Sequence, residues 1–133
     1  MKITQKMFQA KKMAKETKHK KEGKNSFSNY DYFTPTQVEQ IVSEICFSLN
    51  LLSKFDLIRN ETGIKGQLSI IDIDSDESIV YEMATAMPEI KATNEAQQLG
   101  GCMTYTERYL KMTAFGITDN NLDPDTTENT EKR

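Results

Sequence analysis

The chain has 133 residues, of which 37% are hydrophobic and 28% are charged, and its net charge is −3. That length accommodates one domain with a buried core but not two of ordinary size, and no apolar run approaches the ~20 residues needed to cross a bilayer. The lysine-rich N-terminus lacks the apolar segment of a secretory signal, which disfavours secretion.

Charge divides the sequence into three parts. Nine lysines and two glutamates give residues 1–24 a net charge of +7, while residues 25–118 carry −7 and residues 119–133 carry −3. We therefore predict a basic helical arm, a single folded domain and a disordered acidic tail. A basic arm on an acidic body suits contact with a polyanion or with an acidic patch on a neighbouring copy, and a solvated lysine-rich helix is the plain alternative.

The N-terminal third predicts two helices separated by irregular chain. A narrow apolar stripe at helical spacing predicts the first helix over residues 2–18, and so narrow a stripe needs a partner to stay folded. Residues 18–25 are typical of a connector, and the aromatic residues 26–33 of an extended segment or a short strand. The second helix begins after the capping residue Thr34, has a clean amphipathic stripe and runs to about Leu52.

Three strands follow, over residues 54–60, 65–74 and 79–86. In the middle strand the apolar alternation slips between Ile70 and Ile71, which indicates a bulge or burial on both faces. With a final helix after the strands, this order predicts an α+β fold, in which helices pack on one face of a three-stranded antiparallel sheet.

The last helix, residues 95–117, is apolar around most of its circumference. Tyr105 and Tyr109 lie on an apolar flank, where core or interface positions are more common than ligand contacts. The adjacent glycines Gly100 and Gly101 permit close backbone approach. The polar remainder is a narrow strip made of Gly100, Thr104, Glu107, Arg108 and Lys111. We therefore predict a mostly buried helix whose polar strip is available to a ligand.

Residues suited to catalysis or metal binding are sparse. The single histidine, His19, lies in the basic arm, and Cys46 and Cys102 are predicted to be buried thiols, with a disulfide as the alternative. The acidic residues 72–77 resemble part of a calcium loop, but a solvated turn is the simpler interpretation. The sequence has no phosphate loop, dinucleotide fingerprint or nucleophile elbow. We expect no enzymatic activity, no metal and no cofactor.

Two segments resemble signatures of the Erf family of phage recombination proteins. KNSFSNYDYFTPTQVEQIV, residues 24–42, is similar to that family's Lys-Asn-x-Phe-Gly-x-Tyr-x-Tyr run and the amphipathic helix after it. Residues 94–126 resemble its second signature, in which Glu-Ala-Gln and a small-residue step lead to a Ser/Thr-Tyr-Ala-x-Arg/Lys-Tyr helix and an Asp-rich exit. The basic arm also has a counterpart in the family, so the resemblance covers about residues 1–126.

The resemblance implies a protein that binds single-stranded DNA and anneals complementary strands without ATP. It further implies a homo-oligomeric ring or filament in the cytoplasm of a bacterial host, with other recombination or single-strand-binding proteins as further partners. Cations would hold the phosphates and aromatic rings would stack on bases. The residues expected to bind DNA are Lys11, Lys12, Lys15, Lys18, Lys20, Lys21, Tyr30, Tyr32, Thr104, Tyr105, Arg108 and Lys111. Gly100, Gly101 and Tyr109 occupy structural positions of the second signature.

A second hypothesis comes from departures from the family pattern. Asp31 and Phe33 stand where family members often have basic residues, and Glu107 stands where a small or basic residue is common. Together with the acidic body, these positions favour a non-enzymatic regulator or accessory factor that keeps the fold and acts through other proteins.

Overall fold

An α+β architecture is present, as the sequence predicts. The computed structural model describes residues 1–17, 23–25, 30–86 and 94–119. In chain order these form α1 (Ile3–Glu16), β1 (Gly23–Asn25), β2 (Tyr30–Tyr32), α2 (Pro35–Leu49), β3 (Leu51–Asn60), β4 (Gly63–Asp72), β5 (Ser78–Thr85) and α3 (Glu95–Phe115). Among these helices, none is long and apolar enough to cross a membrane.

The central sheet is an antiparallel meander in the order β3–β4–β5. Pairing between β3 and β4 continues from one end of both strands to the other, so the predicted bulge is absent from this ladder. Leu68 and Ile70 are fully buried beneath the helices, whereas Ile71 faces the opposite side and is partly exposed. The slip in the apolar pattern therefore reflects partial burial on both faces of the middle strand.

The α2 helix begins as the sequence predicts and ends earlier. The backbone N–H of Gln37 donates to the Thr34 hydroxyl at 3.2 Å, the Gln37 side chain accepts from the Thr34 backbone, and Pro35 occupies the first helical position. At the other end Asn50 adopts the left-handed conformation, with φ 56° and ψ 51°. The predicted extension to Leu52 is wrong because the chain after Asn50 already pairs with β4.

A two-stranded antiparallel ribbon, β1–β2, precedes α2. The aromatic segment does contain a short strand, but the predicted connector is wrong for residues 23–25, which form its partner. A Cβ added at Gly23 would lie 2.4 Å from the Tyr32 ring. A larger side chain at position 23 would therefore displace the Tyr32 ring from this place.

The α1 helix finds its partner in α2 and α3, against which Ile3, Met7 and Ala10 are buried. Lys6 lies on the same buried face, and its Nζ contacts Asp72 Oδ1 and Asp74 Oδ2, each at 2.7 Å. These contacts tie the start of α1 to the end of β4 and the turn that follows it. The N-terminal helix is thus part of the folded core.

The last helix lies across β4 and β5, and it packs tightly against the sheet at Gly66. A Cβ on Gly66 would lie 2.2 Å from Cγ2 of Thr106, so a side chain there would push the helix outward. The close approach predicted at Gly100 is wrong, because an added Cβ there would meet nothing within 4 Å. Gly101 is half-buried. The helix ends at Gly116, a left-handed cap with φ 68°.

Both cysteines are free and buried, as predicted. Burial raises the pKa of the Cys46 thiol to about 11. The thiolate, which is the reactive form, is therefore scarce at neutral pH.

We predict that Asp72→Asn lowers the melting temperature markedly, because it removes the buried one of the two carboxylates that hold the Lys6 ammonium and leaves only the more exposed Asp74. A second change, Lys6→Met, should restore part of the loss by removing a buried charge that has lost its buried partner. Asp76→Asn is a matched control, since Asp76 is exposed on the same turn. Thermal unfolding followed by circular dichroism gives the melting temperature of wild type, the two single variants and the double variant. Equal decreases in melting temperature for Asp72→Asn and Asp76→Asn would contradict the prediction.

The same ion pair should determine how the stability of the fold decreases at acid pH. The hydrogen bond from Lys6 holds the pKa of Asp72 below its usual 3.8, and the hydrogen bond to Asp72 raises the pKa of Lys6 above its usual 10.5. The contribution of the ion pair to stability is therefore complete between pH 3.8 and pH 10.5. It is lost as pH falls through the folded pKa of Asp72, and it is lost as pH rises through the folded pKa of Lys6. Melting temperature measured from pH 2 to 7 should decline less steeply in the Asp72→Asn, Lys6→Met double variant.

Candidate nucleic-acid interface

Arg108 joins α3 to two distant parts of the chain. Its side chain is only 5% exposed, its Nε donates to the Phe33 carbonyl at 2.7 Å, and its Nη2 contacts Asp119 Oδ2 at 2.5 Å. Asp119 Oδ1 also accepts the Phe33 backbone N–H at 2.8 Å. Asp119, assigned from sequence to the acidic tail, is therefore buried in the domain; residues 120–133 lie outside the described residues.

The same guanidinium contacts two tyrosine rings. Its Cζ lies 5.3 Å from the centroid of the Tyr32 ring and 5.0 Å from that of Tyr109. Both distances are within the range of cation–π attraction. Arg108 therefore holds together two aromatic rings that come from positions 77 residues apart in the sequence.

Two tyrosines that the sequence places on an apolar flank are exposed instead. The exposed fraction is 58% for Tyr105 and 43% for Tyr109, and Thr113 and Gly116 are exposed along the same line of α3. We call these four residues the tyrosine stripe. Its C-terminal end borders α1, because a Cβ added at Gly116 would lie 3.5 Å from Cγ of Lys11. The stripe thus brings aromatic faces and an exposed lysine to one surface.

The polar strip of α3 is internal rather than exposed. Lys111 is 4% exposed and makes ion pairs with Glu39 and, at 2.7 Å, with Glu107. Burial opposes its charge, but these hydrogen bonds outweigh burial and raise its pKa, so it stays protonated. Burial likewise disfavours the charged form of Glu39, yet the hydrogen bond from Lys111 gives that carboxyl a lowered pKa. Thr104 is exposed, and its hydroxyl donates to the Gly100 carbonyl.

These residues line a groove of about 310 Å³ between α2 and α3, where two carboxylates accompany the two cations. A phosphate would have to displace the carboxylates that already hold Lys111. The predicted exposure of Arg108 and Lys111 is therefore wrong. Their partners lie up to 75 residues away in sequence, which helical spacing alone cannot reveal.

The remaining predicted DNA contacts fall into two groups. Lys11, Lys12 and Lys15 are exposed on α1, and Tyr32 is partly exposed. The other group consists of Lys18, Lys20 and Lys21, which lie outside the described residues, and of Tyr30, whose side chain lies outside them.

The acidic turn after β4 already holds a cation, the Lys6 ammonium. Asp72 also accepts hydrogen bonds from the Ser75 hydroxyl and the Asp74 backbone N–H, at 2.8 and 3.1 Å. The solvated turn expected from sequence is therefore wrong for Asp72, which is fully buried. Within the described part of the chain, no group of three or more His, Cys, Asp or Glu is placed to hold a metal ion.

A family model for the ERF superfamily matches residues 3–133. The chain belongs to the ERF superfamily. The match covers both signature segments and α1, and membership points to a role in recombination by strand annealing. No curated protein and no solved structure matches this ERF-superfamily chain significantly.

For this ERF-superfamily protein, we predict that Arg108→Ala lowers the free energy of unfolding by about 3–5 kcal/mol, because Asp119 would stay buried without its counter-charge. Arg108→Lys should lose less but still destabilise, since one ammonium cannot serve the carbonyl, the carboxylate and both rings. Urea unfolding measures both variants.

Arg59→Ala, at the exposed end of β3, is the matched control and should change stability by no more than about 0.5 kcal/mol. If Arg108→Ala were as mild as this control, Arg108 would not have the structural role assigned to it.

Proposed function

We propose that this protein binds single-stranded DNA and anneals complementary strands without ATP, in homologous recombination of a phage or prophage within the bacterial cytoplasm. ERF membership supports the general role. The observation that carries the finer proposal is the tyrosine stripe, which presents two exposed rings and ends at Gly116, where Lys11 of α1 packs.

The stripe suits stacking of bases. Tyr105 and Tyr109 are one helical turn apart, about 6 Å along the axis, so neighbouring bases can each meet a ring. Base–aromatic stacking contributes about 1–3 kcal/mol per base and is largely independent of sequence. A base stacked on a ring keeps its pairing edge open, so a complementary strand can pair with it while it is held. Such a mechanism needs no catalytic group and no cofactor.

The phosphates are assigned to lysines of the N-terminal helix. Lys11 borders the stripe, while Lys12 and Lys15 extend the exposed positive charge along α1. Lys18, Lys20 and Lys21 continue the same basic sequence. Arg108 is assigned a structural role instead of the DNA contact that its signature implies, because it holds the Tyr109 ring and its charge is paired inside the domain.

Self-assembly belongs to the proposal, as a ring or filament of identical subunits. Many weak contacts along one strand then add up to tight binding, because later contacts are intramolecular. Other recombination or single-strand-binding proteins complete the proposed set of partners.

A second candidate function is a protein-binding regulator that keeps the fold and binds DNA weakly. The burial of Arg108 and Lys111 favours it, since two cations expected at the DNA surface are engaged inside the domain. The two functions differ in how binding responds to salt, because phosphate contacts release counterions and protein contacts of mixed polarity do so far less.

We predict that Tyr105→Ala and Tyr109→Ala each weaken binding to labelled oligothymidine by roughly 5- to 150-fold, the loss of about 1–3 kcal/mol of stacking. The slope of log affinity against log salt should stay unchanged in both. Lys11→Ala should instead reduce that slope by about one. Fluorescence anisotropy at several salt concentrations, with duplex DNA as a comparison, measures these effects.

Tyr105→Phe is the matched control and should bind like wild type, because the ring face is kept. Since the chain has no tryptophan, tyrosine emission can be followed alone, and the part of its quenching by the oligonucleotide that is lost in Tyr105→Ala and Tyr109→Ala reports stacking on the stripe. If the protein did not bind oligothymidine at low salt, or bound duplex DNA equally well, the annealing function would be refuted. The protein-binding regulator would then be the remaining candidate function.

A further inference from the structure

Two phenylalanines project into solvent from the outer faces of neighbouring helices. The exposed fraction is 75% for Phe8 on α1 and 82% for Phe47 on α2. Each lies opposite the stripe by which its helix packs into the core. A single exposed apolar side chain is ordinary, but burying two rings of this size against a partner would remove a large apolar area from water.

The charges around the two rings are opposite. Lys12 and Lys15 follow Phe8 by one and two helical turns, and Glu44 precedes Phe47 by about one turn. All three are exposed, and within the described ranges none of them makes an ion pair. The face of α1 is thus apolar and basic, and that of α2 apolar and acidic.

We propose that α1 of one copy docks antiparallel on α2 of the next copy, with Phe8 against the neighbour's Phe47 and Lys12 beside its Glu44. The inference deepens the self-assembly included in the proposed function by assigning its interface. Charge complementarity identifies the occupant, because the α2 face of a second copy supplies both an apolar ring and a carboxylate at matching spacing.

Spacing selects the antiparallel direction. Lys12 lies four residues after Phe8, about 6 Å along the helix, and Glu44 lies three residues before Phe47, about 4.5 Å. Running the helices in opposite directions brings these charges side by side, and Lys15 then meets Gln40. A parallel arrangement would instead leave the lysines opposite the start of β3, where Leu51 is buried.

Because the two faces differ, this contact is heterologous and repeats from copy to copy. A pair of helix faces is smaller than a standard stable interface, so a single contact is weak and salt-sensitive. Lys11 stays outside it, since that side chain lies on the flank of α1 nearest Gly116. Lys11 is therefore left to DNA alone, whereas Lys12 and Lys15, which the proposed function also assigns to phosphates, lie on the docking face of α1.

The test is a charge exchange between copies, followed by sedimentation velocity at low salt. Lys12→Glu alone and Glu44→Lys alone should each shift the protein to the single-chain mass, because each places like charges together. An equimolar mixture of the two should reassemble, since alternating copies restore an opposite pair at every contact. The Lys12→Glu, Glu44→Lys double variant should assemble by itself, and Glu61→Lys, on the β3–β4 turn, is the matched control.

Single variants that assemble like wild type overturn the docking proposal, and so does failure of both the mixture and the double variant to reassemble. Wild type that stays a single chain at every concentration also overturns it. Oligothymidine anisotropy on wild type and on Glu44→Lys separates this outcome from failure of the DNA-binding proposal, because both keep the tyrosine stripe and every lysine assigned to phosphates. Circular dichroism confirms that each variant is folded.

Discussion

The buried guanidinium of Arg108 is the constraint on which the rest of the domain depends. A charged group removed from water is unfavourable unless every donor finds an acceptor. Here the acceptors come from the Phe33 carbonyl and from Asp119, one before α2 and one after α3. Satisfying this one side chain therefore fixes how three separate parts of the chain meet. Because the same group also contacts Tyr32 and Tyr109, the aromatic surface is set by the interior of the fold.

The cations of this protein divide into two populations with different roles. Lys6, Arg108 and Lys111 are buried and paired with carboxylates, so they contribute little to the field outside. The lysines on the outer face of α1 are exposed, so their charge contributes to the field outside the domain. Net charge conceals this division, since an acidic body can still carry a strongly basic edge. Among the described residues, Lys11, Lys12 and Lys15 therefore place three exposed positive charges together on α1.

Local signals in the sequence identify the helices and strands, whereas pairing between distant residues determines which side chains are exposed on the surface. The Thr34 capping box, the meander and the last helix follow from spacing and turn chemistry, which act within a few residues. The orientation of α3 does not, because its buried cations find partners far away in the chain, and so the tyrosines turn outward. One clue is present: Lys6 falls on the apolar stripe of its own helix, where a buried ion pair is expected. Nothing local marks Asp119 as a core residue.

The tie between Lys6 and Asp72 has a consequence for the order in which the chain folds. The first helix is anchored to a turn 66 residues later, so it cannot reach its final position until the meander has formed. Loop closure over that separation is slow compared with formation of local helix and hairpin structure. During synthesis the N-terminal helix therefore emerges first and docks late. Until then its apolar stripe is open to other partners, including the helices of neighbouring nascent chains.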